Sequence, residues 1–422
     1  MREEYLHYLF ITRQLGNTFK TSQNRDLKVL SFGQQNPNAG PDFLTSVIEF
    51  ENKRWAGSIE FHVKASDWYL HRHQYDKSYR NVIAHFVYEY DADVEIGGVP
   101  LPVVELKNLI SEKQLAKFKL LFTEKSSPIA CEKMIQHTDE IIISSQKEKA
   151  LINRLERKAR YAENLIHEFK GDLKKVFFIL LARAFGGKVN ADAFEMLARL
   201  TDLNMLEKNR TNQTAIHAIL FGISGMLPTE SDDDYCNEII QEFRFLKHKF
   251  QLHELDGACF RFSRMNPPGY PTIRLAQLAE LIRKEGGIFD KLPSQIIVSE
   301  FLTKMNIELP EFWQNHYHFK NVSVHGNKNI THDFCHLILV NAVVPFLFAC
   351  GQYQADEYLK TQAIDVLSEI PPEKNSLIEK WKKLKLPVSS AYDTQALIEQ
   401  KNEFCDKKKC LICSIGNSLL RA

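Results

Sequence analysis

The sequence predicts an α+β protein in which a mostly antiparallel, β-rich N-terminal domain precedes a large all-α domain. Up to about residue 106, short runs of β-forming residues are separated by turn signals such as Asn52-Lys53 and Gly97-Gly98. Beyond about residue 110, apolar residues recur at helical spacing. These observations predict domains at 1–110 and 111–400, followed by a cysteine-containing tail at 401–422.

The N-terminal domain is predicted to begin with an amphipathic helix at 3–15. The strands that follow are short and closely connected, and short connections favour antiparallel pairing. They are predicted at 27–32, 44–51, 55–64, 81–90, 93–96 and 99–106.

Capping residues mark the first helices of the second domain. Ser145 with Glu148 forms a capping box, and Gly171 ends the helix that follows. Asp172 and Asn190 can cap the next two helices, which a glycine pair separates. Later helices are predicted at 234–251, 273–285, 333–350, 353–370, 375–385 and 391–404.

Charge and composition bear on the partners and the cellular location of the protein. Lys plus Arg number 54 and Asp plus Glu 53, so the chain lacks the global positive field that draws many proteins to nucleic acid. The eight cysteines of this long chain are expected to be reduced, intracellular thiols. The apolar window 334–350 contains Pro345, which predicts a bent, buried helix. We expect a cytoplasmic protein with no membrane partner; the sequence does not specify its oligomeric state.

The stretch from Gly40 to His85 carries more ionisable side chains than a core needs. Within it, Glu60, His62 and Lys64 alternate with apolar residues, so a strand there presents all three on one face. An ordinary half-buried strand alternates apolar residues with neutral or singly charged ones. The cluster therefore predicts a functional site in the N-terminal domain.

One interpretation of this cluster is the catalytic site of a metal-dependent phosphodiesterase. Asp42 follows Pro41, and the second strand of the next predicted hairpin carries Glu60. This arrangement resembles the PD-(D/E)XK nuclease superfamily, in which an Asp on one strand and an acid-x-Lys pair on the next hold Mg²⁺ and orient the attacking water. The resemblance implies Mg²⁺ or Mn²⁺ at Asp42 and Glu60. Lys64 would be the water-orienting or charge-stabilising cation, while His62, which stands where the superfamily has its lysine, would be an auxiliary ligand or base.

The resemblance to this superfamily extends over roughly the first 90 residues. An additional acid of the superfamily would come from the N-terminal helix, through Glu3 or Glu4. The function it implies is hydrolysis of nucleic acid by a divalent-metal-dependent enzyme.

A second interpretation is a histidine-rich transition-metal site. The ligand types after the second hairpin strand suit Zn, Mn or Fe. The candidate donors are His71, His73 and Asp76, with His62 or His85 completing the set. His71 and His73 alternate in sequence, so they would point the same way only in an extended segment.

A third interpretation is non-catalytic. Asp and His side chains near turns often cap backbone amides, and Lys64 can pair with Glu60 on a solvated face. The protein would then be a nucleic-acid- or protein-binding scaffold whose helical domain docks partners. Geometry separates the alternatives, because a bound ion requires its donors within a few ångström of one point.

The tail carries Cys405, Cys410 and Cys413 in the segment NEFCDKKKCLICSIG. Three thiolates at this spacing can reach one tetrahedral Zn²⁺, and the neighbouring lysines favour the thiolate forms. We predict Zn²⁺ there, ahead of an iron–sulfur cluster, against the alternative of three reduced cysteines at a helix end. A fourth ligand is expected from the helical domain, the candidates being Cys335, Cys350 and His336.

Six segments spread along the whole chain resemble segments of a second family. They are GPDF at 40–43, GSIEFHVKASDWYLHRH at 57–73, NVIAHFVYEYD at 81–91, FGGKVNADAFEMLA at 185–198, RMNPPGYPTIRLAQLA at 264–279 and CDKKKCLICSIG at 405–416. In these segments the chain resembles a large family of Bacteroidetes proteins recorded as a domain of unknown function. The resemblance implies a bacterial, cytoplasmic protein and carries no activity.

Overall fold

The computed structural model describes residues 1–122, 129–263, 265–285 and 296–421. The chain divides into two compact units, which we call the sheet unit (residues 1–146 and 401–422) and the helical unit (residues 147–400). The predicted α+β class is confirmed. The division differs from the predicted boundaries, because residues 111–146 and the tail belong to the sheet unit.

The strands lie mainly in the first quarter of the chain. They are β1 (Thr18–Lys20), β2 (Asp26–Ser31), β3 (Gln34–Gln35), β4 (Phe43–Phe50), β5 (Lys53–Lys64), β6 (Val82–Glu89), β7 (Glu95–Ile96), β8 (Val99–Pro100), β9 (Val103–Glu105), β10 (His316–His318) and β11 (Asn321–Val322).

The helices run through both units. They are α1 (Glu3–Ile11), α2 (Asp67–Leu70), α3 (Glu112–Phe122), α4 (Glu140–Glu168), α5 (Leu173–Leu200), α6 (Leu203–Lys208), α7 (Gln213–Ser224), α8 (Asp234–Phe250), α9 (Pro271–Lys284), α10 (Val298–Lys304), α11 (Glu311–Asn315), α12 (His332–Ile338), α13 (Val344–Gln354), α14 (Glu357–Glu369), α15 (Ser376–Lys383), α16 (Ala391–Glu399) and α17 (Ser414–Arg421). Two π-helical turns, Leu339–Val343 and Gln400–Cys405, follow α12 and α16.

The main sheet has the strand order β1-β2-β4-β5-β6-β9, with β3 paired to β4. The pairs from β1 to β5 are antiparallel, as predicted. The turn between β4 and β5 has positive φ at Glu51 and Asn52, which is what a two-residue hairpin loop requires. In contrast, β6 pairs in parallel with β5, and β9 pairs in parallel with β6. A parallel pair needs a crossover connection, and residues 65–81 provide it between β5 and β6.

The two faces of β5 have different roles. Ile59 and Phe61 are at most 1 % exposed and belong to an aromatic core that α1 covers with Phe10. Glu60 and His62 alternate with them and point to the opposite face, as the period of two predicts. The sheet core therefore fixes the orientation of the polar face.

The predicted helix caps have mixed outcomes. Asp172 caps α5 by accepting a hydrogen bond from the Lys175 N–H, as predicted. The predicted start of α4 at Ser145 is wrong, because the helix already begins at Glu140. The predicted break at the glycine pair is confirmed, because Gly187 within α5 has a non-helical conformation with φ 59°. Asn190 does not cap the segment that follows; its side chain bonds the backbone of Arg261 instead.

One apolar segment, His332–Gln354, is long and apolar enough by length and composition to cross a membrane. Within the helical unit 83 % of its most apolar window is buried, which is typical of a core helix. The π-helical turn Leu339–Val343 lies directly ahead of Pro345, in the first turn of α13. The wider turn accommodates the residue that lacks a backbone N–H, so the predicted bend becomes a π-helical interruption.

Close packing of α7 against α8 makes Gly222 sensitive to substitution. A Cβ atom added at Gly222 would overlap the ring of Phe243. We expect Gly222→Ala to lower the free energy of unfolding by about 1–3 kcal/mol, because overpacking outweighs the gain in helix propensity. Thermal and urea unfolding of the full chain measure the change. Gly326→Ala is the control: no atom lies within 4 Å of its Cβ position, and equal effects of the two substitutions would contradict the packing.

Candidate metal centre

The polar side chains of β5 lie beside histidines that come from strand β6 and from the crossover between β5 and β6. Glu60 is in register with His85 of the parallel strand β6, so both side chains lie on the same sheet face. The crossover between these strands carries His71 and His73. His71 Nδ1 lies 3.1 Å from His62 Nε2, which places the crossover beside the strand residues.

The local conformation of the crossover explains why both of its histidines reach this face. Trp68 is fully buried in a small core with Val87, which anchors α2 on the sheet. Arg72 adopts a left-handed conformation with φ 62°, and a 3₁₀ turn starts at the next residue. The ring centroids of His71 and His73 are therefore only 5.4 Å apart, although the segment is not extended.

Three donor atoms of this cluster converge, and a fourth lies beside two of them. Ligand nitrogens of His62, His71 and His73 all lie within 4.8 Å of one another. Glu60 Oε1 lies 3.7 Å from His62 Nε2 and 3.6 Å from His73 Nε2. Donors around a tetrahedral ion with bonds of about 2.0–2.1 Å are about 3.4 Å apart, so small side-chain adjustments would form such a site.

A second layer of side chains holds these donors in place. His85 is completely buried, and its Nε2 atom is hydrogen-bonded to His62 Nδ1 at 2.8 Å. The other ring nitrogen of His85 has no partner among the described residues. Tyr79 stacks on His73 with ring centroids 3.8 Å apart, and Trp68 lies edge-on to the same imidazole. His85 therefore orients His62 from outside the convergent set, as outer partners do in metal sites.

The acidic side of the site is built around Asp42. The Asp42 N–H donates to Glu60 Oε2 at 3.1 Å, and Asp42 Oδ2 accepts from the Phe61 N–H at 2.8 Å. The same carboxylate oxygen lies 3.2 Å from His7 Nε2 of α1. Glu3 of α1 interacts electrostatically with Asp42 and Glu60. The N-terminal helix therefore does bring an acid to this site.

Burial sets the protonation of the convergent groups. Burial, together with the charge of Asp42, raises the pKa of Glu60 to about 9. Burial and the neighbouring imidazoles lower the pKa of His62 to about 3. The pKa values of His73 and His85 are lowered for the same main reason. At neutral pH these imidazoles are thus in the neutral form that binds metal ions.

Two predicted site residues lie outside the convergent group, although the charge of Asp76 still acts on His73. Lys64 is exposed at the end of β5, where its backbone N–H donates to Asp67 and its charge acts on Asp91. Asp76 is also exposed, and its carboxylate accepts from the N–H and the hydroxyl of Ser78. The structure gives Asp76 a capping role and brings neither side chain into contact with Glu60.

His7 was not among the site residues predicted from the sequence. The sequence did contain a clue to its role, because Glu3 and His7 are four residues apart on a predicted helix and so share one side of it. Without knowledge of the α1 position, nothing linked that side of the helix to Asp42. In the described structure, burial of the His7 ring against Phe43 and Phe61 makes this link.

Comparison with known proteins places the chain in one family. The model of the family described as "Protein of unknown function (DUF2851)" matches residues 3–376, and the chain therefore belongs to this family. Comparisons with curated proteins and with solved structures give no match.

Proposed function

We propose that this protein is a transition-metal-dependent phosphodiester hydrolase of the nuclease type. The observation that carries the proposal is the convergence of ring nitrogens of His62, His71 and His73, with Glu60 Oε1 less than 4 Å from two of these rings. Imidazole nitrogen suits Zn²⁺ or Fe²⁺, and Mn²⁺ is also compatible with a mixed set, whereas Mg²⁺ prefers oxygen donors. The ligands would be His62, His71, His73 and Glu60.

The bound ion would supply the positive charge of the site. In the superfamily that the N-terminal region resembles, a lysine follows the strand acid by two residues, but here this position is His62. Since the pKa of His62 is lowered to about 3, its side chain is neutral and cannot replace that cation. A divalent ion held by His62 would stabilise charge on a phosphoryl oxygen and lower the pKa of a bound water. His71 is exposed and leaves the centre open to solvent.

The choice of a phosphodiester as substrate is supported by the carboxylates. Asp42 stands directly before β4 and Glu60 on β5, which is the arrangement in which the chain resembles nucleases. Glu3 adds the acid from the preceding helix. The proposal includes a cytoplasmic location, which is compatible with eight cysteines that form no disulfides.

Hydrolysis by metal-reconstituted protein tests the proposed function. The full chain, freed of metal with a chelator, would receive Zn²⁺, Mn²⁺, Fe²⁺ or Mg²⁺ singly. Substrates would be bis(p-nitrophenyl) phosphate, single- and double-stranded DNA, and RNA. We expect hydrolysis that depends on a transition metal and falls at least about 100-fold in Asp42→Ala/Glu60→Ala, because this variant loses a ligand and the group that orients it.

The matched control is Glu49→Ala/Glu95→Ala, which removes two exposed acids of the same unit. It should retain the activity of the unmodified protein. Hydrolysis that survives Asp42→Ala/Glu60→Ala would show that another site is responsible. If no phosphodiester is cleaved with any of the four ions, the nuclease assignment is wrong.

A further inference from the structure

The tail cysteines are buried in the sheet unit. Cys405, Cys410 and Cys413 are 9 %, 8 % and 5 % exposed. The segment between them turns sharply, with Lys408 in a left-handed conformation and the Lys409 N–H donating to the Phe404 carbonyl. This turn is the feature that three closely spaced ligands need in order to face one point.

A fourth cysteine, Cys131, lies in the segment against which the tail packs. Its carbonyl accepts hydrogen bonds from the Met134 and Ile135 N–H groups, forming a tight turn that continues as the 3₁₀ turn Ile135–His137. Helix α17, which begins directly after Cys413, contacts that 3₁₀ turn. Cys131 and Cys410 also pack into the same hydrophobic core.

Further hydrogen bonds fix the tail in this position. The Ser414 N–H donates to Gln146 Oε1 at 2.7 Å. At the other side of α17, the Tyr8 hydroxyl donates to the Asn417 carbonyl at 3.3 Å. The thiol positions therefore belong to a packed part of the sheet unit.

The four thiols are close enough to interact electrostatically. Burial raises the pKa of the Cys131 thiol, and the charges of Cys405, Cys413 and Cys410 raise it further. Lys408 provides an opposing positive charge near Cys410. None of these four cysteines forms a disulfide. Cys131 thus lies near all three tail cysteines, and four neighbouring thiols are a donor set that suits a sulfur-ligated metal centre.

We propose that Cys131, Cys405, Cys410 and Cys413 together ligate one iron–sulfur cluster in the sheet unit. This inference is independent of the proposed hydrolase activity, because it involves none of the residues of the histidine centre.

The spacing of the thiols favours a cluster over a single zinc ion. Four sulfurs around one Zn²⁺ with bonds of about 2.3 Å are about 3.8 Å apart. Among the described residues, only the group of His62, His71 and His73 has three donors within 4.8 Å of one another, so no three of the four sulfurs are as close together as one Zn²⁺ requires. A cluster with several irons separates its four thiolates further than one ion does.

The fourth ligand proposed here differs from the candidates that the sequence suggested. Cys335 and Cys350 are buried in the core of the helical unit. Cys131 is far from the tail in sequence and has no neighbouring cysteine, so spacing alone did not indicate it. Folding of residues 129–137 against α17 supplies the ligand.

Metal and sulfide analysis of anaerobically purified full chain tests the inference. The His71→Ala/His73→Ala background removes iron bound at the histidine centre from the count. We expect about four irons and as many acid-labile sulfides per chain, with visible sulfur-to-iron charge-transfer absorption. Cys131→Ser in the same background should contain at least about tenfold less iron. Cys259→Ser, a partly exposed cysteine of the helical unit, is the control and should keep the full iron content.

Three results of this experiment would contradict the proposed cluster or its ligands. One equivalent of zinc in place of iron overturns the cluster, and the absence of bound metal with eight freely reacting thiols overturns the centre altogether. Iron content that is unchanged in Cys131→Ser overturns the role of this residue. If Cys131→Ser does not fold, Mössbauer and X-ray absorption spectra of the unmodified cysteines decide: iron in all-sulfur coordination supports the cluster, and iron bound by nitrogen or oxygen contradicts it.

Discussion

Replacing His71 and His73 together with alanine is expected to remove metal from the histidine centre and to lower phosphodiester hydrolysis at least about 100-fold. The double substitution deletes two of the three nitrogens that lie within 4.8 Å of one another. His71 is exposed and the His73 side chain is 12 % exposed at the edge of the sheet core, so we expect the variant to fold, and circular dichroism checks this. Metal content by mass spectrometry after reconstitution with one equivalent of Mn²⁺ or Zn²⁺, together with initial rates of hydrolysis, measures the effect.

The matched control for this variant is His248→Ala/His253→Ala, which removes two exposed histidines of the helical unit. It should bind metal and cleave substrate like the unmodified protein. One result would contradict the assignment of the histidines as metal ligands. If Mg²⁺-supported hydrolysis persists without His71 and His73 but is lost in Asp42→Ala/Glu60→Ala, the ion is held by carboxylates alone.

Replacing Glu280 with alanine is expected to lower the free energy of unfolding of the helical unit by about 3–5 kcal/mol. The Glu280 carboxylate is 1 % exposed and accepts hydrogen bonds from Gln213 at 2.7 Å and from Arg283 at 2.7 Å. It also lies 2.8 Å from Nε2 of the fully buried His217. Removing it leaves the fully buried His217, together with Gln213 and Arg283, without a shared acceptor, which is far more costly than losing a surface ion pair. Urea unfolding followed by circular dichroism measures the loss.

The Glu280 carboxylate should also make the folding stability of the helical unit depend on pH. Burial alone would raise the pKa of Glu280, but the hydrogen bonds from His217, Arg283 and Gln213 outweigh it and lower the pKa below the ordinary value of 4.5. The unfolded state therefore binds the proton more tightly, so the stabilisation is complete above pH 4.5 and is lost as the pH falls through the folded pKa. The stability difference between the unmodified protein and Glu280→Gln should be largest at neutral pH and shrink in acid.

Glu379→Ala is the control for these stability measurements. Glu379 is 57 % exposed and pairs with Lys382 on the surface of α15, so its loss should cost no more than about 0.5 kcal/mol. An equally small effect of Glu280→Ala would mean that the buried network contributes little. A difference between Glu280→Gln and the unmodified protein that stays constant from neutral to acidic pH would contradict the lowered pKa.

The part of the site that depends on local periodicity could be predicted from the sequence. Strand alternation alone places Glu60 and His62 opposite Ile59 and Phe61, and the structure confirms this division. The hairpin turn at Asn52 fixed the antiparallel pairing of β4 with β5. Both signals act over a few residues, which is why one sequence is sufficient for them.

The part that depends on tertiary packing could not be predicted. Whether His71 and His73 converge depends on the left-handed conformation of Arg72, a residue type with no strong preference for it. Lys64 was assigned to the site by alternation, but β5 leaves the packed region before it, and the side chain is exposed. Cys131 joins the tail cysteines only through packing of segments that are distant along the chain.

Anomalous X-ray scattering from crystals of the full chain grown with Mn²⁺ or Zn²⁺, measured at the absorption edge of the ion, would locate the ion of the histidine centre. One peak is expected about 2.0–2.2 Å from a ring nitrogen of each of His62, His71 and His73 and from a Glu60 oxygen. An ion bound only by Asp42 and Glu60, or three histidine rings hydrogen-bonded to one another with no ion at saturating metal, would contradict this expectation.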